Sequence, residues 1–555
     1  MKPFCRLLIV TLAMLALVAP SVAEQSNIES TGKTTLSPEA YAVIASELPS
    51  ANFPRKLELI DQLASYPGDT RVLPLLQTML RGDLYALSDP PRLLLATRSG
   101  DAVAYSDANT GAVVDAPAAD ALTKITITNA LRTRLKGAIA NLSLSHPDAG
   151  TRLAAVGDML KNLVPDQAPV LRDALQRETN ERVKEALLTA LALIDADSAD
   201  ATVRAAAAVT LGESLYPEAR SKVVSLLETD ASGSFKEPES IVRAAAERSL
   251  ERIDGRKKIF AIGETVFFGL SLGSVLLLAA IGLAITFGVM GVINMAHGEL
   301  MMLGAYTTYV VQLLMPNHID LSLFVAIPAA FLVAGLTGIA IERGVIRFLY
   351  GRPLETLLAT FGISLVLQQL VRSVFSPLNR QVQTPSWMSG SWDINSALSL
   401  TSNRLVIIAF SLAVFAGLLL LMKRSTFGLQ LRAVAQNRAM ARAMGVRTPW
   451  VDALTFGLGS GIAGIAGVAL SQLTNVGPNL GQAYIIDSFM VVVFGGVGNL
   501  WGMFVGAFSL GVLNKVLEPW SGAVLAKIII LVFIILFIQK RPRGLFPQKG
   551  RAAEA

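Results

Sequence analysis

The chain has 555 residues, of which 52% are hydrophobic and only 16% charged, and its mean hydropathy is +0.51. These values exclude an ordinary soluble protein and indicate an integral membrane protein with further segments attached. The net charge of +6 could suggest nucleic-acid binding, but the basic excess follows Ile259, in a few loops between apolar runs. Basic loops of this kind are a topology signal, so we expect no nucleic-acid partner.

Residues 1–23 have the pattern of a secretory signal peptide. Two basic residues precede an apolar run, Leu7–Ala19, and small residues stand immediately before Glu24. The pattern predicts cleavage before Glu24 and removal of Cys5, the only cysteine, so no disulfide or thiol chemistry is expected. The alternative is that this segment stays in place as a membrane anchor.

Residues 24–255 are predicted to form a helical domain outside the cytoplasm. Val203–Ala207 and Val242–Ala246 have almost the same sequence, at a separation close to the repeat length of HEAT-type helical solenoids. We therefore predict a HEAT-like domain. Four segments share one pattern, a short amphipathic helix rich in Ala, Leu and Val with a basic residue near its start: Thr151–Leu163, Glu181–Ile194, Thr202–Leu215 and Ser240–Ile253.

A small β-hairpin or meander is predicted to interrupt these helices. Its β-prone runs are Leu93–Arg98, Ala102–Ser106 and Ala112–Val114, separated by turn-forming residues. His146 is the only histidine of the domain, and no cluster of metal-ligand or catalytic residue types accompanies it in the sequence. We expect neither a metal site nor a catalytic site.

After residue 256 the sequence predicts an all-α, polytopic membrane bundle, residues 256–541, followed by a cytoplasmic tail, 542–555. Several of its apolar runs are short or interrupted by glycine, so some helices are expected to be discontinuous. Glycines four residues apart, as in Gly457/Gly461 and Gly502/Gly506, favour close helix packing. The nine predicted crossings are Ile262–Phe287, Glu299–Met315, Leu321–Ile341, Leu354–Phe375, Leu405–Met422, Ala453–Leu473, Tyr484–Val497, Phe504–Leu517 and Ala523–Ile538.

The basic residues predict the orientation of this bundle. Most of them lie between crossings three and four, between five and six, and after the last crossing. Because basic loops stay in the cytoplasm, these loops and the C-terminus should be cytoplasmic, and the N-terminal domain should lie on the outer side of the plasma membrane. The signal peptide predicts the same side for that domain.

Polar residues within the apolar runs are candidates for a solute path. An acid at the centre of a membrane helix costs about 2.5–3.5 kcal/mol, so it should face a cavity or a partner. The alternative for each residue is a hydrogen bond that only joins neighbouring helices. The candidates are Asn294, His297, Glu299, Gln368, Gln472, Asn475 and Asp487.

Three segments resemble the branched-chain-amino-acid-type ABC permeases, the LivH family. They are Gly282–Tyr306, Leu358–Leu365 and the glycine-rich turn Gly495–Gly502. Within that family, a long domain ahead of the permease and the tail Arg541–Gln548 look like the permease subunit of urea ABC transporters. The resemblance implies a membrane permease subunit of an importer, without enzymatic activity or a bound cofactor.

The resemblance also implies the partners and the mechanism. Such a permease pairs with a second homologous permease, two cytoplasmic ATPases that use ATP and magnesium, and a periplasmic solute-binding protein. Transport would proceed by alternating access, driven by the ATPases. The implied cargo is urea, with short amides or branched-chain amino acids as the alternatives.

The polar segment Ser425–Arg447 lies between two apolar runs and is the predicted docking site for an ATPase. In ABC importers this loop commonly carries a glutamate-alanine-alanine pattern that ends in glycine; the corresponding stretch here, Ala439–Gly445, has no glutamate. We expect Met440 and Met444 to be apolar contacts, with Arg438 and Arg442 at their rim. A basic helix lying on anionic lipid is the alternative. The full set of docking candidates is Arg438, Met440, Ala441, Arg442, Met444 and Gly445.

Two other functions remain open at the level of sequence. A passive urea or amide channel would need the bundle but not the segment Ser425–Arg447. A membrane-anchored helical scaffold would not need so many crossings.

Overall fold

A computed structural model describes residues 35–66, 68–88, 91–99, 102–114, 122–161 and 163–546. The chain divides into two compact units, one of residues 1–214 and 218–247, the other of residues 215–217 and 248–555. The predicted signal peptide, and the part of the predicted tail after residue 546, lie outside the described residues. The predicted boundary at residue 255 falls inside a single helix, α10, described below.

The first unit begins with three helices that pack on an antiparallel sheet. Polar caps start two of the three helices: the side chains of Ser37 and Asn52 accept backbone N–H groups of the first turn. Buried aliphatic side chains such as Leu59, Leu76 and Leu94 fill the space between helices and sheet. The elements are α1 (Pro38–Glu47), α2 (Phe53–Ala64), α3 (Val72–Arg81), β1 (Leu84–Ser88), β2 (Pro91–Ser99), β3 (Ala102–Asp107), β4 (Val113–Val114), β5 (Leu122–Lys124) and α4 (Asn129–Leu144).

The sheet is larger than the predicted hairpin. Its strand order is β4-β3-β2-β1-β5, and all neighbouring strands are antiparallel. The three predicted runs form β2, β3 and β4, whereas β1 and β5 were not predicted. β5 contributes only three residues, and its pairing partner β1 lies more than thirty positions earlier in the chain, so a local sequence pattern does not reveal the pair.

A series of short helices follows: α5 (Ala149–Leu160), α6 (Ala168–Arg177), α7 (Glu181–Asp195), α8 (Ala201–Leu211) and α9 (Pro217–Ser225). An arginine near the start of two of these helices is held in the same way. Arg152 donates to the carboxylate of Glu178 and to the carbonyl groups of the preceding loop, and Arg204 does the same with Glu237. The HEAT-like classification of this region stays a prediction.

α10 (Ser240–Met290) is a single helix of 51 residues that combines a predicted amphipathic helix with the first predicted crossing. Its last part and the following helices form the bundle of the second unit. These are α11 (His297–Leu314), α12 (Ile319–Gly344), α13 (Pro353–Phe375), α14 (Ser402–Arg424), α15 (Thr426–Gln436), α16 (Arg438–Ala443), α17 (Thr448–Ser471), α18 (Leu480–Gly495), α19 (Leu500–Ser521) and α20 (Ala523–Lys540). A two-stranded hairpin, β6 (Ser391–Asn395) and β7 (Leu398–Thr401), stands between α13 and α14 and was not predicted.

Each of the nine predicted crossings coincides with a helix, but in the described part of the chain only seven helices are long and apolar enough to cross a membrane. The two that fall outside this group are α11 and α18, and α18 has only 16 residues. Seven of the nine predicted crossings therefore meet these criteria, and the crossings at α11 and α18 stay predictions. The all-α, polytopic class of the bundle is confirmed.

Glycines bring α17 into close contact with its neighbours. A Cβ atom at Gly304 of α11 would lie 2.1 Å from the carbonyl oxygen of Gly464, so the two backbones touch. Gly457 and Gly461 lie against the side chains of Ile339 and Phe331 of α12, in the close packing that the glycine spacing predicted. α17 is consequently the most buried of the seven long helices.

Candidate functional site

A break in the helical structure, residues 291–296, separates α10 from α11, and most of the predicted path residues lie near it. Gly291 takes a left-handed conformation, with φ of +68°, and ends α10. The side chain of Asn294 then accepts the N–H of Ala296 at 3.0 Å, and Thr360 of α13 accepts the N–H of Met295 at 3.1 Å. The non-helical backbone is therefore held by a neighbouring helix, as a break inside a bundle requires.

α11 begins inside the bundle and not at its edge. The Nε2 atom of His297, the first residue of α11, lies 2.9 Å from the carbonyl oxygen of Ala279. α10 continues for about three further turns to Met290, so the chain runs back along α10 before α11 starts. The non-helical residues 291–296 therefore lie within the bundle, whereas a discontinuous helix inside one crossing stays a prediction.

Glu299 lies in the first turn of α11, and its side chain is enclosed by α13. Its Oε1 atom accepts hydrogen bonds from Ser364 Oγ at 3.0 Å and from Gln368 Nε2 at 2.7 Å. All three residues are buried, with Glu299 only 1% exposed. No arginine, lysine or histidine within the described residues forms an ion pair with Glu299, and its Oε2 atom has no hydrogen-bond partner there. This carboxyl group can therefore still receive a donor.

Among the seven predicted path residues, the structure joins Glu299 and Gln368 through their side chains, and Asn294 and His297 through their backbones. Ser364 belongs to the cluster of Glu299 and Gln368 and was missed; its signal is its position four residues before Gln368, on the same face of α13. Asn294, within the break, and His297, at the start of α11, are fully buried, and each has one ring or amide nitrogen without a partner among the described residues.

The remaining path candidates lie elsewhere. Gln472 follows α17 and is 6% exposed; its Oε1 atom has no partner in the described ranges, whereas Asn475, three residues later, is exposed. Asp487 of α18 forms an ion pair with Lys527 of α20, at 2.8 Å. Asp487 thus joins two neighbouring helices, as in the alternative to a role in the path that the sequence left open.

Tyr306 of α11 is a polar residue that the sequence interpretation missed. Its side chain is 2% exposed, its ring packs on Phe375 at a centroid distance of 4.8 Å, and its hydroxyl group has no partner among described residues. The sequence signal was weak because an aromatic residue in an apolar run is read as core.

The segment Ser425–Arg447 forms two short helices, α15 and α16. Ser425 caps α15 and Asn437 caps α16, each through its side-chain oxygen. Gly445 follows α16 with φ of +86°, a conformation that favours glycine after a helix. These local signals explain why the polar segment between two apolar runs folds into separate helices.

One face of α16 is attached to the bundle and the opposite face is bare. Ala441 is buried against Val434 and Val451, whereas Met440 is 60% exposed and Met444 is 78% exposed. Arg442 is also exposed, with one long contact of 3.4 Å to Thr448. The methionines therefore form an exposed apolar pair, as predicted for a docking surface.

Arg438 differs from its expected position at the rim. Its guanidinium group binds both carboxylate oxygens of Asp452 in α17 and donates to the hydroxyl group of Tyr350 at 2.6 Å. Asp452 is 3% exposed, so this ion pair lies within the protein. The sequence placed Arg438 beside Met440 because the two are close on one helix, but the acid that attracts it comes 14 residues later.

The long apolar helices of the bundle, with buried polar groups between them, indicate an integral membrane protein. A sequence profile described as a branched-chain amino acid transport system permease component matches residues 265–538. LivH of Salmonella typhimurium is 32% identical over 292 residues, which cover 51% of this chain and 94% of the relative, and LivH of Escherichia coli K12 is 30% identical over the same length. BraD of Pseudomonas aeruginosa is 29% identical over 287 residues, 50% of this chain and 93% of the relative.

All three relatives are named as permease proteins of high-affinity branched-chain amino acid transport systems. This chain belongs to the LivH family of permeases. No solved structure matches the chain.

Proposed function

We propose that this chain is a permease subunit of an ABC importer and that ATP hydrolysis takes place on partner chains. The observation that carries the proposal is the exposed pair Met440 and Met444 on a short helix that is fixed to the bundle through Ala441. An apolar pair on a polar connecting segment suits a protein contact better than water. Within the second unit, Ala441 of this short helix packs against Val451 of α17, the most buried of the seven long helices.

The proposed assembly contains a second homologous permease, two cytoplasmic ATPases that use ATP and magnesium, and a periplasmic solute-binding protein. Family membership supports these partners. The proposed orientation places α15 and α16 in the cytoplasm and the N-terminal domain in the periplasm, because most basic residues of the second unit lie in the connections that would then be cytoplasmic.

We further propose that Glu299 and Gln368 form part of the solute path. Glu299 Oε2 can accept an N–H group, and α11 begins beside it at non-helical backbone inside the bundle, the kind of backbone that commonly lines solute sites in transporters. Asn294, His297 and Gln472 also offer buried polar atoms without partners among the described residues, so they stay in the proposal. Asn475 and Asp487 remain the weakest members because one is exposed and the other is paired.

Urea is the proposed cargo. The match leaves only about 6% of LivH uncovered, so the first unit of this chain has no counterpart in that relative. This added domain separates the chain from the branched-chain amino acid permeases and supports a different solute. Branched-chain amino acids are the second candidate, favoured by the names of the relatives.

Uptake by the complete complex in lipid vesicles tests both levels of the proposal. We expect labelled urea to accumulate only when ATP can be hydrolysed on the side of α15 and α16, and unlabelled short amides to compete. Equal uptake with a non-hydrolysable ATP analogue would overturn the importer and support a passive channel. Competition by leucine, without any urea transport, would replace urea by branched-chain amino acids.

A further inference from the structure

Arg438 connects three separate parts of the second unit through one side chain. It is the first residue of α16, its partner Asp452 lies in the first turns of α17, and Tyr350 lies in the turn between α12 and α13. The guanidinium carbon also lies 4.0 Å from the centre of the Tyr350 ring. A planar guanidinium group that is bound at two points and stacked on a ring fixes the orientation of all three segments.

Few other contacts hold α16 in place. Ala441 supplies a small apolar contact with Val434 and Val451, and within the described part of the chain Arg442 makes one long hydrogen bond, to Thr448. Met440 of α16 and Met444, directly after it, are exposed. A force on the two methionines can therefore reach α17 through Arg438 and Asp452, beside the contact of Ala441 with Val451 and the chain connection at residues 445–447.

α17 in turn is packed directly on the helix that carries Glu299. Gly464 of α17 touches Gly304 of α11, and a Cβ atom at Gly467 would lie 1.9 Å from the carbonyl oxygen of Met301. Such backbone contacts leave no room for one helix to move without the other, because packed interiors are not compressible. Asp452 and Glu299 thus lie on two helices that are in direct contact.

We propose that Arg438 is a positioning residue that couples movement of α16 to α17 and, through α17, to the carboxyl cluster at Glu299. The inference rests on the proposed function, because it assumes an ATPase that binds Met440 and Met444. It assigns Arg438 to force transfer within the permease and not to the ATPase contact itself.

The test measures ATP hydrolysis and solute uptake side by side in the complete complex. In Arg438→Met and Asp452→Asn, hydrolysis should stay within about twofold of wild type while uptake falls about tenfold, because loss of one partner breaks the link. Tyr350→Phe removes only the hydroxyl contact and should lower the ratio of uptake to hydrolysis about twofold. Arg447→Met, in an exposed arginine of the same segment, is the matched control and should leave the ratio unchanged.

A charge reversal separates coupling from folding. The double variant Arg438→Asp with Asp452→Arg restores an ion pair at the same place and should recover part of the uptake lost in the single variants. If hydrolysis and uptake fall together, in proportion to the amount of assembled complex, Arg438 only supports folding and the inference is overturned. A normal ratio in Arg438→Met would overturn it as well.

The wild-type complex distinguishes this inference from the function on which it rests. Uptake that does not need ATP hydrolysis in wild type contradicts the importer itself. ATP-dependent uptake in wild type, with an unchanged ratio in every Arg438 variant, contradicts only the role of Arg438.

Discussion

Two buried glutamates of the first unit and Glu299 of the second unit are held in opposite ways. In the first unit, Glu178 and Glu237 are each bound by an arginine at 2.7 Å, and those arginines also satisfy loop carbonyl groups. In the second unit, Glu299 is just as buried but forms no ion pair in the described ranges, and one of its oxygens has no hydrogen bond there. A satisfied network stabilises a fold, whereas an unsatisfied buried group is costly and is retained where a ligand can complete it.

The largest expected effect breaks a satisfied pair. Glu178→Ala leaves Arg152 buried without its carboxylate, so the first unit should lose about 3–5 kcal/mol of unfolding free energy. Hydrogen exchange of α5 to α7 in the full-length protein measures this loss. Glu58→Ala, which breaks an exposed pair with Arg55, is the control and should change stability by less than about 1 kcal/mol. Equal losses in both variants would contradict the distinction between buried and exposed pairs.

The same pair predicts a pH dependence. Hydrogen bonding from Arg152 lowers the pKa of Glu178 from its usual value of 4.5 to about 2. Because the folded-state pKa is depressed, the contribution is complete above pH 4.5 and is lost as the pH falls toward 2; it amounts to at most about 3 kcal/mol. Protection of α5 to α7, corrected for the intrinsic exchange rate, should therefore decrease across this interval in wild type but much less in Arg152→Met.

In the cluster of Glu299, Ser364 and Gln368, substitution of Glu299 should affect transport more than the stability of the fold. Glu299→Gln keeps the shape but removes the carboxylate acceptor, so uptake should fall about 10- to 100-fold while the amount of assembled complex stays the same. Uptake per assembled complex is the measurement. Glu355→Gln, which alters an exposed acid paired with Arg352, serves as the control. A large loss of folded Glu299→Gln protein with normal uptake per complex would show that Glu299 is structural.

The smallest effect is expected at the exposed apolar pair. Met440→Ala combined with Met444→Ala should weaken binding of the ATPase about tenfold, by removing apolar contact area, without altering the fold of α16. Titration of the purified permease with the ATPase measures this change. Leu429→Ala, at another exposed apolar residue of α15, tests whether the contact is confined to the methionines. Unchanged affinity in the methionine variant would remove the docking assignment.

Sequence patterns predicted the parts of this molecule that depend on local periodicity. The apolar runs gave the helices of the bundle, and the glycine spacing in α17 correctly predicted close packing. The pairing of β1 with β5 and the contact between Glu299 and Gln368 join residues that are distant in sequence, so periodicity carries no information about them.

Arg438 is a second example of a contact that local sequence patterns do not predict. Helical spacing placed it beside Met440 on a common helix, which is right, but it could not show which neighbouring helix lies against it. The available signal was Asp452, an acid near the start of an apolar helix, because a buried acid needs a partner. The sequence indicated that a partner was needed but did not identify it.

Chemical labelling inside the bundle tests most directly whether the unsatisfied cluster is a solute path. The only cysteine of the chain is Cys5, so a cysteine at position 364 is a nearly unique probe. Ser364→Cys should react with a small, charged thiol reagent, with a rate that changes when ATP is added and falls when cargo is present. Ser411→Cys, at a buried serine that is bonded to Ser274, should stay unreactive. If Ser364→Cys is as unreactive as Ser411→Cys under every condition, the cluster is sealed and the account is wrong.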